Sequence, residues 1–130
     1  PFLARFSSGE TDFVLLTAHT SPTSNLEELD GLEFFFRQAE KSDPETIVLG
    51  DLNADCRYLE DSERIDLKGP GYVWVVPDEA DTTAGRTHRA YDRFVLNQAS
   101  EGMFSGNWGI DDSVEEEVSD HYLVWAGFYV

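Results

Sequence analysis

Short runs of apolar residues separated by polar segments predict a mixed α/β domain in which strands outnumber helices. The predicted strands are residues 2–6, 12–18, 46–49, 71–76, 93–96 and 122–130. One helix is predicted to begin at Ser24, where Ser24 and Glu27 have the spacing of a capping box, and to end at 41–44. Its apolar positions recur at helical spacing: Leu26, Leu29, Leu32, Phe36 and Ala39. The polar stretch 100–117 is predicted to be irregular.

The composition indicates one folded domain. The chain has 130 residues, of which 41% are hydrophobic and 13% aromatic, and this is enough apolar material for a packed core. No apolar run approaches the ~20 residues of a membrane-spanning helix, so we expect no membrane segment. The chain begins at Pro1 and shows no secretory signal peptide, so we expect a processed or excised piece. A single cysteine, Cys56, cannot form an internal disulfide.

The charge is strongly acidic. Nine basic and 26 acidic residues give a net charge of −17, and only Lys41 and Lys68 among the basic residues are lysines. Such a surface repels nucleic acid in dilute buffer, but the Debye length shrinks to ~3 Å in 1 M salt. This composition favours a protein adapted to molar salt, and the alternative is an ordinary acidic protein with well-spread solvated carboxylates.

Polar residues that can carry chemistry recur where the predicted strands begin or end. His19 follows strand 12–18, Asp51 and Asn53 follow strand 46–49, Asp92 precedes strand 93–96, and 120–121 precede the last strand. Ligands and catalytic groups gather at strand ends in α/β proteins. Taken singly, each residue also fits a structural hydrogen bond or a turn, so the prediction of a site depends on all four segments together.

The residue types fit the hydrolysis of phosphate esters. Asp51, Asn53 and Asp120 are oxygen ligands that suit magnesium, manganese or calcium better than zinc. Two histidines, His19 and His121, can supply an acid and a base near neutral pH. Asp92 can orient one imidazole and stabilise its charged form. A divalent metal together with a His–Asp pair can stabilise the charge on a phosphate and activate water.

Several segments carry a resemblance to a known family. Segments 50–54, 91–93 and 119–122 resemble the signatures of the endonuclease/exonuclease/phosphatase superfamily, and 16–22, 53–58, 77–83, 87–88 and 90–93 resemble deoxyribonuclease I and its relatives. The resemblance runs in order from Pro1 to Val130. It implies a metal-dependent, DNA-cleaving phosphodiesterase. The implied fold is a four-layer α/β/β/α sandwich, of which residues 1–130 match the C-terminal half: one mixed β-sheet with helices on its outer face.

The resemblance also implies roles for individual residues. It makes His19 and His121 the two catalytic histidines, leaving open which is the acid, and it makes Asp92 the residue that holds His121. The residues implied around the metal, Mg²⁺ or Mn²⁺, and the scissile phosphate are Asp51, Asn53 and Asp120. The loop residues implied to bind a structural Ca²⁺ are Asp81, Thr83 and Thr87.

Departures from the family pattern define further expectations. The family's first half, which this chain lacks, carries a metal-binding Glu, a second Glu that pairs with one histidine, an Asn near the phosphate and much of the DNA-contacting surface. We therefore expect an apolar sheet face that pairs with that first half or with a second copy, or a chain that folds poorly. Arg89 stands where the family has the disulfide partner of Cys56, so we expect a free thiol.

Two other functions remain open alternatives. One is a phosphoesterase of the same superfamily that acts on lipid or inositol phosphates, although the family resemblance of segment 81–93 argues against it. The other is a non-catalytic remnant that serves as an interaction domain. The resemblance favours secretion, but the sequence does not determine where the protein resides.

Overall fold

The computed structural model describes residues 1–55 and 65–130. Cys56, and with it the expectation of a free thiol, lies outside the described residues. In chain order the elements are β1 (Phe2–Ser8), β2 (Thr11–Thr17), α1 (Asn25–Glu40), β3 (Thr46–Asp51), a 3₁₀ turn (Asp66–Lys68), β4 (Tyr72–Trp74), β5 (Asp92–Asn97), α2 (Gln98–Met103), β6 (Phe104–Asp111) and β7 (Leu123–Phe128).

A mixed five-stranded sheet forms the centre of the domain, in the order β1-β2-β3-β5-β4. β2 and β3 are parallel and are connected by α1, whereas the other neighbouring strands are antiparallel. Strands β6 and β7 pair in a separate two-stranded antiparallel sheet. The predicted mixed sheet and its crossover helix are therefore confirmed.

Helix α1 covers one face of the sheet. Its side chains Leu29, Leu32 and Phe36 are buried in one apolar cluster with sheet residues that include Leu16 and Val48. Burial at three- and four-residue intervals is the pattern that predicted this helix from the sequence. Residues 13–17 of β2 alternate between buried and less buried positions, as a half-buried strand requires.

The predicted capping box of α1 is wrong. Ser24 is the N-cap residue but makes no side-chain hydrogen bond to the helix backbone. Its hydroxyl instead donates to Glu28, at 2.6 Å, and the other Glu28 oxygen accepts the Ser21 N–H at 3.0 Å. Glu28, one residue beyond Glu27, is thus the carboxylate that turns back to the start of the helix.

The prediction that 100–117 is irregular is also wrong, because β6 and the end of α2 lie within it. Asn97 accepts the Ser100 N–H, and the Ser100 hydroxyl accepts the Asn97 N–H, so these two residues form a capping box that begins α2. Phe104 then begins β6, and its ring packs at 5.7 Å from that of Phe128 in β7. The small and polar residues within β6 conceal the strand in the sequence.

The second face of the five-stranded sheet is apolar and only partly covered. Residues Ile47 and Leu96 are buried there, and the β6–β7 pair packs against them. A groove of about 280 Å³ remains, bordered by residues such as Leu15, Leu49 and Phe94. Within the described ranges, no helix has the length and apolar character to cross a membrane.

Candidate active site

Strand pairing brings three of the predicted segments to one edge of the sheet. β3 and β5 pair so that Asp51, the last residue of β3, lies opposite Asp92, the first residue of β5. β2 runs parallel to β3, so His19, two residues after β2 ends, lies at the same edge. This register explains why the chemistry predicted at strand ends converges.

The two histidines lie on either side of one carboxylate. His121 Nδ1 is 2.7 Å from Asp92 Oδ2, and His121 Nε2 is 3.8 Å from Asp51 Oδ2. His19 Nε2 is 3.3 Å from that same Asp51 oxygen. The His19 side chain is 76% exposed, whereas that of His121 is 26% exposed. The structure thus brings together four of the predicted site residues.

Burial and neighbouring charges change the acidity of the central groups. Burial raises the pKa of Asp51 above its usual value, and the charge of Asp92 adds to this, against the opposing N–H of Asn53 and the two imidazoles. Burial disfavours the charged form of His121, but the hydrogen bond and charge of Asp92, with Asp51 and Asp120, outweigh it and raise the His121 pKa. The Asp92 contact therefore makes His121 a stronger base than an imidazole in water.

The Asp92 contact also selects a proton position on His121. An ionised carboxylate only accepts hydrogen bonds, so Nδ1 of His121 carries the hydrogen that points at Asp92. In the neutral imidazole this leaves the lone pair on Nε2, the nitrogen that faces Asp51. His121 Nε2 is therefore the atom that can take up a proton.

Asn53 holds the turn after β3. Its φ is +44°, in the left-handed region that asparagine tolerates better than most residues. The Asn53 backbone N–H donates to Asp51 Oδ1 at 3.0 Å, and its side-chain amide donates to the carbonyl of Thr20 at 2.7 Å. Asn53 thus fixes the Asp51 carboxylate and connects it to the loop that carries His19.

Thr20 and Asn25 belong to this arrangement but were not predicted from the sequence. The Thr20 hydroxyl donates to the Leu52 carbonyl at 2.6 Å, and the Asn25 amide donates to the carbonyls of Leu52 and Asn53 at 3.0 and 2.9 Å. Both side chains are buried. Thr20 in a loop and Asn25 at the start of α1 resemble ordinary turn and helix-end residues, so the sequence carried no signal for these long-range contacts.

Gly50 allows the ends of β2 and β3 to approach each other. Its φ is +135°, and a Cβ at this position would lie 2.0 Å from the carbonyl oxygen of Ala18. Any side chain there would push the two strand ends apart. Because Ala18 precedes His19, this close approach helps to place His19 against Asp51.

A cleft of about 550 Å³ opens beside His19. Asp51 and Thr17 border it at the sheet, and Glu28 and Phe35 border it on the helix side. The cleft gives an incoming molecule access to His19 and Asp51.

The predicted metal ligands are only partly brought together. Asp51 and Asn53 are adjacent, but across residues 1–55 and 65–130 no hydrogen bond or ion pair joins the exposed Asp120 carboxylate to either of them. The same residues contain no group of three or more His, Cys, Asp or Glu side chains that could hold a metal ion. Carboxylate and amide oxygens are the kind of ligand that Mg²⁺ or Mn²⁺ prefers. Asp51 and Asn53 supply only part of the ligands that such an ion needs.

The three predicted calcium-loop residues lie together. The Thr83 hydroxyl is 2.9 Å from Asp81 Oδ1 and 2.5 Å from the Thr87 carbonyl. Carboxylate, hydroxyl and carbonyl oxygens converging in this way are the donors that Ca²⁺ prefers. His88 Nδ1 lies 2.6 Å from the other Asp81 oxygen, so an imidazole already neighbours this carboxylate.

The loop is also tied to the turn after β3. Arg89 Nη1 lies 3.6 Å from Asp55 Oδ1, and the Asp55 side chain is 5% exposed. Asp55 directly precedes Cys56. An ion pair therefore connects the two segments that the resemblance implies are joined by a disulfide in the family.

Comparison with known proteins confirms the resemblance stated above. The chain is 34% identical to deoxyribonuclease-1 of Equus caballus and 33% identical to that of Homo sapiens, in each case over 95% of its own length. It spans about half the length of these relatives, 51% of each. No protein-family model matches the chain.

A solved structure supports the fold. Truncated TDP2 of Caenorhabditis elegans superimposes with a TM-score of 0.67 over 98% of this chain and 58% of its own, at 17% identity. This similarity confirms the expected α+β fold class.

Proposed function

We propose that this chain is the C-terminal half of a deoxyribonuclease I-like enzyme that hydrolyses phosphodiester bonds in DNA. The observation that carries the proposal is the convergence of the His121–Asp92 pair, Asp51 and His19 at one sheet edge. Similarity to deoxyribonucleases over 95% of the chain supports DNA as the substrate.

The geometry suits His121 as the general base. Asp92 holds Nδ1, and Nε2 takes a proton from the water that attacks phosphorus. The P–O bond to the leaving oxygen breaks, and His19 donates a proton to that oxygen or stabilises the phosphate charge. The opposite assignment of acid and base uses the same two residues.

The proposal includes divalent metals. Mg²⁺ or Mn²⁺ would be held by Asp51, Asn53 and Asp120. The ion would neutralise the charge that develops on the phosphate oxygens. The first half of the fold would complete that coordination set. Separately, Asp81, Thr83 and Thr87 would hold a Ca²⁺ ion that stabilises their loop.

We also propose that the partly covered sheet face, bordered by Leu15, Leu49 and Phe94, receives the first half of the fold. An apolar face of this kind is favourably covered by another apolar layer. Light scattering and thermal melting of the chain alone test this. Without the first half, we expect a second copy to cover the face and give a dimer, whereas a monomer that melts cooperatively opposes the proposal.

The net charge of −17 sets the conditions under which DNA is bound. Screening at high salt weakens the repulsion between the acidic surface and DNA. We propose that the protein acts at high ionic strength, in a secreted setting, and we expect DNA cleavage to increase from dilute to molar KCl.

Plasmid nicking tests the proposed function. The chain is assayed with and without Mg²⁺ and Ca²⁺ across the KCl series, first alone and then with a deoxyribonuclease-1 first half added. We expect metal-dependent nicking that His121→Ala and Asp120→Ala abolish. Asp112→Ala is the matched control, because Asp112 is another exposed acidic residue between β6 and β7.

Other outcomes separate the alternatives. Turnover of sphingomyelin or inositol phosphates without DNA cleavage indicates the other class of phosphoesterase. No turnover of any substrate, even with the first half present, indicates a non-catalytic interaction domain. Nicking that persists in the His121 and Asp120 variants contradicts the proposed site.

A further inference from the structure

Thr82 lies between the two segments that carry the His–Asp pair. Its side chain is fully buried. Its hydroxyl oxygen accepts the backbone N–H groups of Tyr91 and Asp92, at 3.1 and 3.2 Å, and the hydroxyl donates to the Arg89 carbonyl at 3.1 Å. A hydroxyl has one hydrogen and two lone pairs, so its hydrogen-bonding capacity is fully used.

The backbone of the same residue holds the other segment. The Thr82 carbonyl accepts the Tyr122 N–H at 2.9 Å. Thr83 forms an isolated β-bridge with His121, and Ala84 donates to the Asp120 carbonyl at 2.8 Å. Thr82 therefore contacts the backbone of Asp92 through its side chain and the residue after His121 through its carbonyl.

We propose that Thr82 is a positioning residue for the reaction, an inference that rests on the proposed function. The Thr82 hydroxyl fixes the start of β5, where Asp92 lies, and the Thr82 carbonyl fixes Tyr122, the residue after His121. It thereby keeps Asp92 Oδ2 within hydrogen-bonding distance of His121 Nδ1, at 2.7 Å. Small displacements in such a pair are costly, because proton transfer depends on near-ideal geometry.

The neighbouring threonine differs in its contacts. Thr83 points its hydroxyl at Asp81 and the Thr87 carbonyl, inside the loop. Thr82 points its hydroxyl at the start of β5. The hydroxyl contacts of Thr82 therefore differ from those of Thr83, the predicted calcium ligand beside it.

Three variants of the 130-residue chain test this role. Thr82→Val keeps the shape of the side chain and removes the hydroxyl, and Thr82→Ser restores it. Thr46→Val is the matched control, because Thr46 is also fully buried and its hydroxyl donates to a carbonyl, that of Asp43 at 2.7 Å. Thr46 lies at the opposite end of β3 from Asp51.

Two measurements are made on each variant. The first is the ¹⁵N-edited NMR signal of the His121 Nδ1–H, which the Asp92 contact protects from exchange with water. The second is DNA nicking, separated into kcat and KM. For Thr82→Val we expect loss of the NMR signal and a roughly 10–100-fold lower kcat with unchanged KM. Thr82→Ser and Thr46→Val should retain both.

The outcomes distinguish this inference from the proposed function. If Thr82→Val keeps the signal and the wild-type kcat, or if Thr46→Val loses both equally, Thr82 has no positioning role. If the NMR signal is lost in Thr82→Val alone while the wild type cleaves no DNA even with the first half added, the positioning role holds and the proposed function fails. The NMR measurement needs neither DNA nor metal.

Discussion

Replacing Arg93 by methionine is expected to destabilise the domain severely. Arg93 is 1% exposed, and its guanidinium donates to three backbone carbonyls, those of Ala90, Val76 and Ala54, at 2.6, 2.6 and 2.7 Å. It also donates to Asp78 at 2.8 Å. Methionine keeps an unbranched apolar stem like that of arginine but has no guanidinium and makes none of these bonds.

Two effects of the substitution compete. Burial disfavours the charged guanidinium and lowers the pKa of Arg93, although Asp78 and other carboxylates oppose this, so removing the charge recovers a desolvation cost. Against this, three carbonyls on buried residues lose their donor, at ~1–3 kcal/mol each. Asp78 is largely exposed and regains water. We expect a net loss of about 3–5 kcal/mol, a large part of a typical 5–15 kcal/mol stability.

Equilibrium urea unfolding measures this loss, with tryptophan fluorescence as the signal because Trp74 lies 5.5 Å from the Arg93 guanidinium. Arg5→Met is the matched control: Arg5 is exposed and pairs only at the surface, with Asp43 at 2.8 Å and with Ser42. An exposed pair contributes less than ~1 kcal/mol. A loss for Arg93→Met no larger than that for Arg5→Met would refute the reasoning.

Three further predictions concern the site. Asp92→Asn replaces the carboxylate by a neutral amide, and plasmid nicking should fall by ~10⁴-fold, whereas a loss below ~10-fold contradicts the proposed pair. Burial lowers the pKa of His121, but its contact with Asp92 outweighs this effect and raises the pKa. His121 therefore stabilises the fold below its unfolded pKa of ~6.5, and this contribution is lost as the pH rises through the folded pKa. His121→Gln should therefore lose more unfolding free energy in acidic than in alkaline buffer, and an equal loss in both opposes this. Ca²⁺ should raise the Tm of the wild type and of Asp112→Asn but not of Asp81→Asn, as measured by calorimetry.

Much of the fold could be predicted because burial leaves a periodic pattern in the sequence. α1 and the central strands carry apolar residues at the spacing of their buried faces. β6 was missed because Ser105, Gly106 and Asn107 interrupt its apolar positions. Glu27 was predicted as the carboxylate that bonds back to the start of α1, but Glu28 does so. The difference depends on how the Ser21 backbone approaches Glu28, and the spacing of residues in the sequence does not specify this.

The convergence of candidate site residues could be predicted because residues at strand ends lie at systematic places in the sheet. Asp51 and Asp92 each stand at a strand end, and the β3–β5 register makes them neighbours. Thr82 and Thr20 could not be predicted, because each acts through bonds to residues at least seven positions away. A polar residue in a loop reveals such partners only once the chain is folded.

The loop before β5 is held by contacts that salt weakens little. The buried Arg93 guanidinium donates to the carbonyls of Val76 and Ala90, and Arg89 reaches the buried Asp55. Contacts between buried groups are screened much less than exposed ones, so these contacts persist at ionic strengths that weaken a surface pair such as Arg5–Asp43. A chain with a net charge of −17 benefits from high salt, because screening reduces its self-repulsion. At the high ionic strength proposed above, we therefore expect the segment that carries Asp92 to keep its geometry.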